Sequence, residues 1–105
     1  MSAFYRASVT LITAADPVTV TGYALRALPV LTVTRITPRH GWTVTHAPTG
    51  RAVTRPLPLR EAKRRAAAIA AALPADIDLT TSDPTAAALR MQAYPAAMEA
   101  VYGGR

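Results

Sequence analysis

Cysteine is absent, which removes disulfides, thiolate metal sites and cysteine nucleophiles together and suits a reducing compartment, so a cytoplasmic location is expected. Bulky apolar residues are scarce: Ala dominates the hydrophobic half of the chain, and the aromatics are confined to Phe4, Tyr5, Tyr23, Trp42, Tyr94 and Tyr102. With so little large apolar area in 105 residues the stability margin is small, and a homo-oligomer is a natural way to bury more. No segment reaches about 18 uninterrupted apolar residues, so no membrane-spanning helix is expected. The opening Met1-Ser2-Ala3-Phe4-Tyr5-Arg6 lacks the basic region and apolar stretch of a secretory signal.

Catalytic and metal-binding patterns are missing too. There is no nucleophile elbow, no phosphate-cradling glycine loop and no paired-carboxylate motif. Asp16, Asp76, Asp78 and Asp83 fall where turns and helix caps use Asp structurally. His40 and His46 are the only histidines and have no cysteine or nearby carboxylate to complete a metal set. The sequence therefore points away from an enzyme, a cofactor, a metal and a small-molecule substrate.

What is present is positive charge, unevenly placed. Residues 1–65 hold ten of the twelve basic side chains against two acidic ones, Asp16 and Glu61, so that stretch carries +8 and the rest −2. A concentrated positive surface attracts polyanions, of which nucleic acid is the commonest. Only Lys63 is Lys among the basic residues, an Arg bias that a high-GC genome produces by itself. The net charge, not the identity of the cation, is the informative quantity.

The pattern of the first half has the period of strands. Tyr5, Ala7, Val9 and Leu11 alternate with Arg6, Ser8 and Thr10, and after Ala15-Asp16-Pro17 a second alternating run extends from Val18 to about Arg26. Leu31 to about Thr37 is β-branched and predicts a third strand; Pro38-Arg39-His40-Gly41 turns it back onto Trp42 to His46. Ala47-Pro48-Thr49-Gly50 repeats that punctuation ahead of a short fifth strand from Arg51 to Arg55. Thr19, Thr21, Thr32, Thr34, Thr43, Thr45 and Thr54 read as a solvated sheet face.

The period changes after Pro58, where Leu59, Ala62, Ala66, Ile69 and Leu73 mark one face of a helix closed by Pro74. Asp83 caps a second helix with Pro84 in its first turn; Ala87, Met91, Tyr94, Met98 and Val101 continue it, and Pro95 kinks or splits it. The expected architecture is one α+β domain over 1–105: an antiparallel β-meander of four to five strands (1–56) followed by two C-terminal helices (58–102) packed on one sheet face, the other face open.

The sharpest candidate site is the cluster Arg51, Arg55, Arg60, Lys63, Arg64 and Arg65, running from the last strand into the first turns of the helix. Cations at a helix N-terminus oppose the macrodipole, a conflict that a bound phosphate removes. Glu61 tempers it by pairing at four-residue spacing with Arg65. Should Trp42 or Tyr23 lie exposed beside the arginines, base stacking would join phosphate contact.

The segment Gly41 to Arg51, followed by Leu59-Arg60-Glu61-Ala62 and the Ala-rich helix, resembles a hairpin-plus-helix unit of small proteins from actinobacterial phages and mobile elements. It is also similar to the sheet-plus-helix domains with which some phage integrases grip DNA. The likeness spans residues 41–73 and implies a nucleic-acid partner, DNA by preference, and no individual contact residues. The expected function is thus a small accessory or regulatory factor that binds nucleic acid mainly through the phosphate backbone. The alternative is a protein-interaction module that docks on a host protein or on itself through a sheet edge or the stripe Ala87, Met91, Tyr94, Met98, Val101.

Overall fold

The computed structural model describes residues 2–12 and 15–102. Five strands, β1 (Phe4–Leu11), β2 (Val18–Leu25), β3 (Leu31–Thr34), β4 (Thr43–His46) and β5 (Arg51–Ala52), form one antiparallel sheet in sequence order. Three helices follow, α1 (Leu59–Ala72), α2 (Pro84–Gln92) and α3 (Pro95–Tyr102). This is the α+β meander that the alternation predicts, and of the two outcomes expected at Pro95 the structure shows the split: Pro95 has no N–H to continue the α2 ladder and instead opens α3.

Local chemistry sets the boundaries. Asp83 accepts a hydrogen bond from the Thr85 N–H (3.0 Å) with Pro84 next to it, and α1 begins directly after Pro58. The fifth strand stops at Ala52, short of the expected Arg55, because the Thr54 hydroxyl takes over as acceptor for the Val44 N–H (3.1 Å). Gly50 adopts a left-handed φ of 68°, as its turn requires, whereas Gly41 does not; a Cβ there would sit 2.9 Å from Cβ of Pro56.

Register assigns the faces. Leu31 pairs with His46 and Val33 with Val44 on the side that α1 covers through Ala62, Ala66 and Ile69. Met91, Ala97 and Val101 join that core, and Ala87 is buried as well, so most of the apolar stripe offered to a partner is interior. Ala62, Ala66 and Ala97 are all fully buried. Their small side chains allow close approach among helices and sheet, a use for the alanine load that composition alone does not reveal.

The opposite face is not open. The sheet curls until the end of β1 reaches the β4–β5 turn, where the Ile12 N–H donates to the Gly50 carbonyl (3.0 Å). Val9, Leu11, Ala24, Thr32, Thr34 and Thr45 are enclosed by that curl. The solvated threonine face therefore holds for Thr19 and Thr21 but not for Thr32, Thr34, Thr45 or Thr54, which are buried. Their hydroxyls bond to one another and to strand carbonyls: Thr34 with Thr45 (2.8 Å), Thr43 with Thr45 (3.0 Å), and Thr32 to the Thr45 carbonyl (3.1 Å). No buried side-chain polar atom among the described residues lacks a partner, which is what lets threonine fill an interior.

Candidate nucleic-acid interface

The helices cover β3 and β4 but leave the far part of the β1–β2 hairpin bare on the same side, so Arg6, Ser8, Thr10, Thr19 and Thr21 stand exposed in one polar field. Where the sheet emerges from under α1, two aromatic rings meet. Tyr23 of β2 lies opposite Arg6 and Val33 in the ladder. Trp42, just ahead of β4, is clamped to Leu57 by two backbone hydrogen bonds of 2.7 Å each. Their ring centroids are 5.7 Å apart with planes tilted by 42°, and both rings are half-buried.

Cations flank the pair on both sides. The Arg35 guanidinium sits 4.5 Å from the Trp42 ring, and the Lys63 ammonium 4.3 Å from Tyr23 and 5.3 Å from Phe4. The result is a row, Lys63–Tyr23–Trp42–Arg35, along a groove of about 410 Å³ lined by Arg6, Tyr23, Arg35, Thr37, Pro38 and Trp42 among others. The fold produces this row directly. Thr34 pairs with Thr43, so Arg35 and Trp42 are the next opposed positions on the hairpin, and Leu57 delivers α1 beside Trp42 two residues before the helix begins.

The six basic residues expected to form one footprint are distributed differently. Arg60 and Arg64 are exposed on α1: Arg60 lies one turn before Lys63, whereas Arg64 directly follows it, pairs with Glu61 (3.5 Å) and lines a depression against α3 with Arg65, Ala96 and Glu99. That pair replaces the expected Glu61–Arg65 contact, because Arg65 instead reaches α3 and donates to the carbonyls of Ala100 (2.9 Å) and Val101 (3.3 Å). Those carbonyls lie in the last turn of α3, where a cation complements the helix dipole. Arg51 lies across from His46, at the opposite end of β4 from Trp42, and lines a mostly apolar cavity of about 200 Å³ with Met91 and Met98. Arg55 is exposed just past β5. Of these six, the structure brings Lys63 to the aromatic row, leaves Arg60 one turn away on the same helix, and turns Arg51 toward α2 and Arg64 and Arg65 toward α3.

Arg6 and Arg35 belong to the groove and were missed by sequence reasoning, although the hairpin register carries the signal for Arg35. The histidines serve the fold. His40 Nδ1 is 2.6 Å from the Thr37 hydroxyl in the β3–β4 turn. Buried His46 holds the α1–α2 connection through Nε2 and the Leu79 carbonyl (2.6 Å), while Nδ1 meets the Thr49 hydroxyl (3.0 Å). A carbonyl only accepts, so Nε2 carries the proton. Burial pulls the His46 pKa below its ordinary value, partly opposed by the Leu79 bond. Asp78, held below the usual carboxylate range by hydrogen bonds from Thr80, also pairs with Arg90 (3.6 Å), so it is already engaged within the protein. Among the described residues no group of three or more His, Asp or Glu side chains is placed to hold a metal ion, and no helix is long and apolar enough to cross a membrane. Comparison with known proteins finds no matching family model, curated protein or solved structure.

Proposed function

We propose that this protein is a small, non-enzymatic accessory or regulatory factor that binds nucleic acid chiefly through its phosphate backbone, with the Lys63–Tyr23–Trp42–Arg35 row as the centre of contact. The observation that supports this reading best is the placement of Arg6, Arg35 and Lys63 around one shallow groove in the basic half of the chain. Phosphates want several cations within reach of one path, and exposed threonine and serine hydroxyls beside them add neutral donors. Helix α1 adds its own positive end: Pro58 provides no side-chain cap for the first-turn amides, and the helix begins two residues after Leu57, the backbone partner of Trp42.

Fluorescence anisotropy with labelled DNA and RNA at two salt concentrations tests the reading. If about three phosphates are neutralised, affinity falls by roughly 20-fold to 40-fold between about 50 and 200 mM salt. Replacing Arg60, Lys63 and Arg64 together by Gln is expected to flatten that dependence. Absence of binding at low salt would refute the proposal.

A further inference from the structure

We infer that the groove takes single-stranded nucleic acid, with two unpaired bases stacking on Tyr23 and Trp42 while Lys63 and Arg35 leave the rings for the phosphates. This inference rests on the nucleic-acid reading above and specifies the strand form. Three features of the groove carry it.

The first is ring geometry. Two aromatic planes inclined by 42° cannot both be capped by one flat ligand, but they suit two bases whose planes are free to tilt relative to each other. Bases in a duplex are parallel, stacked and paired, and have no free face to offer. A groove of about 410 Å³ also matches a few nucleobases rather than the width of a double helix.

The second is rigidity. Tyr23 is fixed on both sides by the ladder and Trp42 by its paired bonds to Leu57, so the platform exists before the ligand arrives. Little ordering is left to oppose binding.

The third is what occupies the rings. Lys63 and Arg35 are long, rotamer-rich cations resting on aromatic faces. Giving up each of these half-buried cation–π contacts weakens binding by about 2-fold to 30-fold, whereas each stacked base strengthens it by about 5-fold to 150-fold. The exchange favours the base. It also frees a positive charge within a side chain's length of the phosphate next to that base, so stacking and backbone contact come from the same movement.

Trp42 is the only tryptophan, and its emission reports the event directly. The protein is titrated with an oligothymidylate of about 12 nucleotides, a site size common for small single-strand binders, with the matching duplex, and with inorganic polyphosphate. Single strands are expected to quench Trp42 while duplex and polyphosphate leave it unchanged. Trp42→Leu should weaken single-strand binding by about 5-fold to 150-fold without altering the salt slope, and Trp42→Phe should retain most of the affinity. The wild-type quenching measurement carries the test should Trp42→Leu fail to fold. Equal binding of duplex with no change in Trp42 emission overturns the stacking inference and leaves the backbone reading intact; no binding of any strand at low salt overturns both.

Discussion

Replacing Thr45 by Val removes one oxygen and almost no volume, yet it should destabilise the protein more than the same change at Thr34. Both residues are fully buried in the curl of the sheet, and their hydroxyls share a bond of 2.8 Å. Among the described residues the Thr34 hydroxyl has no second side-chain or backbone partner, while the Thr45 hydroxyl also meets Thr43 at 3.0 Å. Thr45→Val therefore strands a buried hydroxyl, at a cost of about 1–3 kcal/mol. Thr34→Val forfeits one bond, about 1 kcal/mol, and leaves Thr45 satisfied through Thr43. The double variant strands neither group of the pair and should be more stable than Thr45→Val alone, since removing both partners can be nearly neutral. At roughly 4 °C per kcal/mol for a chain of this size, Thr45→Val should melt about 4–12 °C below wild type. Urea titrations of the four proteins form a double-mutant cycle. Equal costs for the two single changes, or a double variant whose cost is their sum, would refute this account of how the interior tolerates threonine.

His46 is buried with a lowered pKa, so the fold favours its neutral ring: its contribution is complete above about pH 6.5 and is lost as pH falls through the lower folded value. Urea midpoints are expected to drop across that acid window, and to drop less in His46→Gln. Arg65→Gln should lower stability by about 0.5–1.5 kcal/mol and speed amide exchange in α3 while leaving the salt dependence of nucleic-acid binding unchanged, because its guanidinium already serves the Ala100 and Val101 carbonyls. Gly50→Ala should cost more than 1 kcal/mol, since a methyl group there meets the Thr10 carbonyl and the backbone holds φ at 68°; a calorimetric midpoint equal to wild type would contradict the closure of the sheet.

The parts of the fold legible in the sequence are those set by neighbours along the chain. Proline at 58, 84 and 95, Asp83 as a cap, and the switch from a two-residue to a four-residue apolar period need no tertiary information. The curl needs it. Ile12 and Gly50 share no local pattern, and Thr is ambiguous because it is isosteric with Val, so an alternating Thr strand reads as wet until something covers it. The groove divides the same way. Arg35 opposite Trp42 follows from the hairpin register, whereas Lys63 over Tyr23 and Arg65 against α3 depend on how α1 lies across the sheet, which helical periodicity leaves open.

The strand order has one further consequence, in time rather than space. Every strand pairs with its sequence neighbour, so the sheet is a continuous strip that can be unrolled without breaking a ladder. What holds its ends together is the Ile12–Gly50 bond and the packing of Val9 and Leu11 inside the curl. That seam should therefore be the low-energy opening of the molecule, with water expected to reach the threonine interior by the strip loosening at β1 before β3 and β4 separate beneath α1.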